Sequence, residues 1–282
     1  MISIKFTNVK SESLNIDSTD GFSLIDLSGI HPPKANINVR SIAGFDGSTF
    51  VNSSVNPRNI VVTLQLSGDV EEGRRTLYEI FKIKQSGLLT YTSERIAVQL
   101  EAYVEALEIL PMSWPVKAII SLLCPQPYFE ALNEILVDIS FIEYSLTFPL
   151  ALKAAGSQLG TIHPSEAINI FNEGDIAIGM KIRYTANGTV VNPKLINTQT
   201  LEFIELETTM TAGDILVINT EVGKKRIERT RNGETMNLFN SLKLGSRFLQ
   251  LEEGDNVLYA SSTSGSNSLF TEITYRPKYS GV

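Results

Sequence analysis

Residues 58–66, Arg58-Asn59-Ile60-Val61-Val62-Thr63-Leu64-Gln65-Leu66, decide the fold class. Ile60, Val62, Leu64 and Leu66 fall on one face of an extended chain, and Val61, Thr63 and Gln65 on the other, because successive side chains of a strand alternate. The pattern is that of a sheet with one buried side. The same period of two recurs from Ile2 to Val9, Phe22 to Leu27, Ala35 to Ile42, Ile96 to Ile109 and Val116 to Leu123. The chain is therefore expected to be mainly β.

One segment breaks the period. Asp69, followed three residues later by Glu72, has the form of a capping box, and Leu77, Ile80 and Phe81 then recur at helical spacing. A helix is expected at Val70 to Gln85, with Gly87 in the left-handed position beyond its end. Glu71 and Glu72 at its start, and Arg74, Arg75, Lys82 and Lys84 later, partly complement the helix dipole. That basic face reads as solvated, with subunit contact as the other reading.

At Pro125-Gln126-Pro127-Tyr128-Phe129 the strand signal stops, since two prolines in three residues cannot continue a ladder. A chain of 282 residues allows roughly two domains, and the expected division is 1–130 and 131–282. In the second half, turn signals stand at Asn187-Gly188, Gly213-Asp214, Gly223, Asn232-Gly233 and Gly254-Asp255. Their spacing suits an antiparallel sandwich, with Ile215 to Asn219 and Lys225 to Thr230 as hairpin arms. The small-residue stretch from Ala151 to His163 reads as a surface loop within this domain. No βαβ rhythm is present, which argues against a parallel sheet.

Composition removes several function classes. Hydrophobic residues at 43% and charged residues at 20% give enough apolar material for an ordered core. A net charge of -7 argues against a nucleic-acid-coating surface. The single cysteine, Cys124, forms no intrachain disulfide, and two histidines cannot furnish the usual zinc site. The start of the chain lacks the features of a signal peptide, so synthesis into a cytoplasm is expected. The most apolar stretch, Ile135 to Leu152, contains Asp138 and Glu143 and is too interrupted to span a bilayer.

Chemistry-bearing residues do not assemble into a motif. Gly223-Lys224-Lys225 lacks the upstream glycine and the Ser/Thr of a phosphate loop. His31 precedes Pro32-Pro33 and His163 precedes Pro164, so both read as exposed turn histidines rather than bases beside a nucleophile. Cys124 ends an apolar strand and reads as a small core residue. Trp114, within Pro111-Met112-Ser113-Trp114-Pro115, reads as a core or junction anchor. Lys224, Lys225, Arg226, Arg229 and Arg231, interleaved with Glu221, Glu228 and Glu234, read as a solvated hairpin with cross-strand pairs. No catalytic, cofactor-binding or metal-ligating residue is assigned, and no cofactor is expected.

The order of features resembles a known family, the distal tail proteins (Dit) of long, flexible-tailed phages and prophages of Gram-positive hosts. In the first half the resemblance rests on Gly44-Phe45-Asp46-Gly47-Ser48, Arg58 to Val62, Arg74-Arg75-Thr76-Leu77, Gly87 to Tyr91 and Cys124 to Phe129. In the second half it rests on Asn172-Glu173-Gly174-Asp175, Asn192 to Asn197, Ala212 to Thr220, Leu251 to Asn256 and the closing Tyr279-Ser280-Gly281-Val282.

The resemblance implies a ring-forming N-terminal β-sandwich-like domain with one α-helix, and a galectin-like C-terminal β-sandwich. It further implies a homo-hexameric hub at the virion tail tip, assembled in the host cytoplasm. Such a ring joins the tail tube protein to the tail-tip or tail-associated lysin protein, carries receptor-binding proteins, and acts without turnover. The sugar-binding His-Asn-Arg set and stacking tryptophan of true galectins are absent from the second half.

Six chains at -7 each carry about 42 negative charges, which suits a channel through which DNA slides. A closed ring of identical subunits needs two different matching surfaces on each, and Ile96 to Ile109 is a candidate exposed edge for pairing with a neighbour. Two other classes stay open on the residues alone: a carbohydrate-binding β-sandwich protein recognising host cell-wall glycans, and a hydrolase using a pair among the 31 acids.

Overall fold

The computed structural model describes residues 2–16, 21–44, 46–139, 141–144, 160–163 and 167–282. The chain is mainly β and divides into two compact units, Met1–Leu132 with Lys278–Val282, and Asn133–Pro277. The expectation of a second domain running to Val282 is thus modified at its end, because the last five residues return to the first unit.

The first unit contains β1 (Ser3–Asn8), β2 (Ser13–Ile16), β3 (Phe22–Ser28), β4 (Ala35–Ser41), β5 (Ser48–Val55), β6 (Arg58–Leu66), α1 (Val70–Ile80), β7 (Ser86–Thr92), β8 (Ala97–Leu110), β9 (Lys117–Cys124) and β10 (Phe129–Ala131). Most belong to one nine-stranded antiparallel sheet whose main path runs β2-β1-β7-β8-β9-β6-β3. Its end strands β2 and β3 approach each other, so the sheet curls around its core. The alternation at β6 is realised: Ile60, Val62, Leu64 and Leu66 are all buried. They meet Ala118, Ile120 and Leu122 of β9 in one apolar cluster.

The helix forms where its cap predicts. Asp69 accepts hydrogen bonds from the backbone N–H of Glu71 at 2.9 Å and Glu72 at 3.3 Å, and Leu77, Ile80 and Phe81 are buried in the core. Phe81 stacks on Phe6 with ring centroids 4.6 Å apart. The helix ends at Ile80 rather than Gln85, so Lys82 and Lys84 lie beyond it and its last turn holds no basic residue.

Gly87 is also not the cap. It sits in β7 opposite Asn8 and Ala102, and the left-handed residue after the helix is Lys84, at φ 69°. Glycine stands at 87 because a Cβ there would lie 2.3 Å from the Phe6 ring and 2.7 Å from the Thr7 carbonyl oxygen. Gly87→Ala is expected to overpack this site and cost about 2 kcal/mol, read as a lowered urea midpoint of the first unit.

The second unit contains β11 (Ile135–Asp138), β12 (Phe141–Tyr144), β13 (Gly160–His163), β14 (Ile168–Asn172), β15 (Met180–Ala186), β16 (Val190–Asn197), β17 (Phe203–Glu205), β18 (Thr209–Met210), β19 (Ile215–Asn219), β20 (Arg226–Arg231), β21 (Glu234–Asn237), β22 (Gly254–Ser264) and β23 (Leu269–Tyr275). A six-stranded sheet, β11-β23-β15-β19-β20-β21, faces a five-stranded one built on β14-β22-β16-β17. Both contribute to a single core, with Ile182, Tyr184, Leu216 and Ile273 from the first and Leu195, Leu258 and Ala260 from the second. This is the antiparallel sandwich that the turn spacing predicts. Asn232-Gly233, with φ of 51° and 84°, closes the β20–β21 hairpin as two left-handed residues must.

β12 and β13 pair as a hairpin. The expected surface loop at Ala151 to His163 lies outside the described residues as far as 159, and its last four residues are strand. His163 is therefore paired opposite Phe141 rather than placed in a turn.

Candidate functional site

The residues picked out for chemistry do not come together. His31 lies on an exposed segment beside Pro32 and Pro33, in a cleft of about 360 Å³ whose lining also includes Lys34, Asn56 and Arg58 and no carboxylate. Cys124 is fully buried in the first core, and burial pushes its thiol up to about 12, against the smaller opposing effect of Arg58. A protonated, inaccessible thiol is a poor nucleophile. Native protein is expected not to react with Ellman's reagent at pH 8, and to release one equivalent of thiol on denaturation. Among the described residues no group of three or more His, Cys, Asp or Glu is placed to hold a metal ion, and no helix is long and apolar enough to cross a membrane.

The basic cluster at Lys224–Arg231 is largely solvated; its lysines and Arg226 pair along the chain or with a ring, and Arg231 pairs across the β19–β20 hairpin. Lys224 meets Glu221 at 3.2 Å and Arg226 meets Glu228 at 3.6 Å along the chain, while Lys225 lies over the Phe248 ring at 5.0 Å. Arg231 stands opposite Glu234 in register but binds Asp214 instead. The Asp214 carboxylate is almost fully buried and accepts from Arg231 Nε at 2.7 Å and Nη2 at 2.5 Å. It also accepts from the Thr211 N–H at 2.8 Å. These bonds, led by that from Arg231, hold its pKa down at about 2. This is a cross-strand pair of the kind expected, one step beyond Ile215 opposite Thr230 on the β19–β20 ladder, with an acid that lies outside the alternating charge run.

Surface, rather than chemistry, is what the first unit offers. Trp114 is not an anchor of core or junction: it is 94% exposed, beside Met112 at 99%, at the tip of the β8–β9 hairpin. The tip is ordered by the Ser113 hydroxyl, which donates to the Leu110 carbonyl at 2.7 Å and accepts from the Lys117 N–H at 3.2 Å. Two flanking prolines leave the indole no strand to pack beneath, which explains its exposure.

β8 is likewise not an open edge over its length. Ala97 to Tyr103 pair with β7, Val98 and Gln99 also with β10, and Tyr103 to Leu110 with β9, so the free edge expected from Ile96 to Ile109 narrows to the β7 side of Ala106 to Leu110, where no strand pairs among the described residues.

A different element is uncovered. β4 and β5 form a two-stranded ribbon outside the main sheet, and nearly every residue of it is exposed. Ile37 and Val39 alternate onto one face, and Phe50 stands directly opposite Val39. Asn36, Asn38 and Arg40 take the other face, where the Asn38 amide donates to Asn52 at 2.6 Å. The period of two in Ala35 to Ile42 gave the strand correctly, but the apolar face it creates covers no core.

Comparison with known proteins places both units. Residues 9–124 match the phage tail protein RIFT-related domain, and residues 173–279 match the siphovirus-type tail component, C-terminal domain. No curated protein matches the chain. Among solved structures, the Dit (gp 19.1) protein of phage SPP1, described as a paradigm of the hub adsorption apparatus in phages infecting Gram-positive hosts, superposes with a TM-score of 0.69 at 15% identity over 99% of each chain. Structures of the phage P2 baseplate in its activated conformation, with calcium and with strontium, match at 12% identity over 100% of each chain, with TM-scores of 0.50 and 0.51. With a tail-protein domain in each unit, in order, and one fold spanning both, the chain belongs to the family of siphophage distal tail proteins, a structural component of the phage tail.

Proposed function

We propose that six copies of this chain form the hub ring at the tip of a long flexible tail. The ring joins the tail tube to the tail-tip protein and carries the receptor-binding proteins. The observation that supports it most directly is the pair of tail-protein domain matches, at 9–124 and 173–279, falling in order on the two compact units. Such a hub works by contact. A set of uncovered apolar elements on the first unit suits that role, since exposed apolar patches of a few hundred Å² mark interaction sites.

The test is the solution mass by light scattering, followed by negative-stain imaging of the eluted species. A six-subunit ring with a central hole supports the reading. A particle that stays monomeric at every concentration, and also when mixed with its tail tube protein, refutes it. Retention of such a monomer on host cell walls would favour a glycan-binding module instead.

A further inference from the structure

We propose that residues 278–282 form a strap that fixes the direction of the β4–β5 ribbon, so that the ribbon is held ready for contact only in a chain whose second unit is already made. The ribbon lies outside the main sheet, with Ile37, Val39, Phe50 and Val51 each 57–60% exposed. Its direction is therefore set at its stem. One leg, residues 29–34, runs from β3 into β4, and the other, residues 56 and 57, runs from β5 into β6.

The legs are stiff. Pro32, Pro33 and Pro57 have restricted φ, and each favours extended backbone in the residue before it. A stiff leg transmits rotation at its base to the whole ribbon. β4 is seven residues long, about 23 Å, so a tilt of about 30° at the stem carries the far end through about 12 Å.

The strap sits at the base of the first leg. The β3–β6 ladder stops at Ser28 opposite Val61. Beyond it, the Ile30 carbonyl accepts from the Val282 N–H and from Arg58 Nη1, both at 3.1 Å. Arg58 directly follows the second leg, and it also donates to the Gly29 carbonyl at 3.1 Å and to the Ser280 carbonyl. One guanidinium thus joins both legs to the strap. Gly281 lies so close to the first leg that a Cβ would stand 2.7 Å from Pro32 Cδ and 2.8 Å from its nitrogen. The strap is anchored in turn: β24 (Lys278–Tyr279) pairs with β10, Lys278 meets Glu130 at 3.0 Å, and Tyr279 and Val282 pack against the first core.

These five residues follow the second unit in sequence but belong to the first. A chain interrupted before Lys278 keeps both strands of the ribbon and lacks what steadies their base. Holding an apolar face in one direction lowers the ordering cost of engaging a partner. Placing the strap after the second unit ties that readiness to a completed chain.

The experiment places nitroxide labels on the full chain at Ser48→Cys, at the far end of the ribbon, and Lys5→Cys, in β1; Cys124 is buried and takes no label. Double electron–electron resonance then gives the distance between labels in four backgrounds. They are wild type, Gly281→Val, which crowds Pro32, Val282→Pro, which removes the N–H that meets Ile30, and Gly87→Ala, which strains the same unit away from the strap. Val282→Pro adds no bulk against the leg and keeps the test decisive if Gly281→Val does not fold, with far-UV circular dichroism as the check. The expected result is one narrow distance for wild type and Gly87→Ala, and a distribution broadened by about 10 Å for the strap variants. A narrow distance in the folded strap variants overturns the proposal, and so does a broad one already in wild type. Equal broadening by Gly87→Ala overturns it too, because the ribbon would then be answering to general stability.

Discussion

Replacing Arg58 by methionine is expected to destabilise the first unit by about 2–3 kcal/mol, the cost of removing a charged hydrogen-bond donor from sheltered carbonyls. Arg58 opens the strand that decides the fold, yet it is only 4% exposed. Its Nη1 donates to the carbonyls of Gly29 and Ile30, both at 3.1 Å, and its Nη2 to the carbonyl of Ser280. The guanidinium lies over the Phe129 ring at 4.6 Å. Methionine keeps the stem but removes the charged donor from these three carbonyls, each such bond contributing about 1.5–3 kcal/mol; Ile30 still accepts from the Val282 N–H at 3.1 Å.

The loss should be local before it is global. Lys278–Tyr279, the final strand β24, pairs with β10, and Arg58 ties the residue after it to the loop that follows β3. Limited proteolysis should therefore trim the last residues of the variant first. Arg58→Lys should recover little, since an ammonium cannot spread a planar fork over carbonyls on two segments. Urea unfolding by circular dichroism measures the effect. A loss below about 1 kcal/mol would mean that water replaces the guanidinium at little cost.

The second large effect is at Asp214. Asp214→Ala is expected to cost about 3 kcal/mol by stripping Arg231 and the Thr211 amide of their acceptor. Asp214→Asn should lose much of the same stability but also its pH dependence. The carboxyl is lowered from 3.8 to about 2 in the folded chain. A depressed acid stabilises the fold above its unfolded value, and that contribution disappears as pH falls from about 4 to about 2. The full linkage is about 2 kcal/mol. Urea midpoints of the second unit at pH 5, 4, 3 and 2 check this: wild type should lose more stability over the series than Asp214→Asn. Parallel curves would show that other carboxylates dominate the acid response.

Much of the architecture was legible because burial on one side of a sheet writes itself into the period of two. The strands at Ser3–Asn8, Arg58–Leu66 and Lys117–Cys124 all lie within a residue or two of where their apolar alternation puts them. The cap at Asp69 marked the helix start for a similar reason, since a side-chain oxygen near the first amides has a local signature. The helix end had none: Ile83 continues the apolar content past Ile80 although the chain has already turned.

Interactions between distant residues were harder to read. Arg58 and Ser280 are brought together by the chain's return, and Asp214 meets Arg231 across a ladder; neither contact leaves a mark in the local pattern. Apolar residues were also read as core by default, which misjudged Trp114. Hydrophobicity identifies residues that avoid water, but it does not say whether the cover comes from the same chain. For a protein whose work is contact, that distinction carries the function. The candidate assembly surfaces consequently emerged only once the strands had partners.

The position of Trp114 also decides how this protein can be watched. It is the chain's single tryptophan, and its indole already stands in water at the tip of the β8–β9 hairpin. Its emission in the folded chain should match that of the unfolded chain, so a denaturation curve followed by tryptophan fluorescence will be nearly flat while circular dichroism reports a full transition. The same optical silence makes the residue a clean reporter of docking. A blue shift on mixing with another tail component would arise from the hairpin tip alone, with no background from the core.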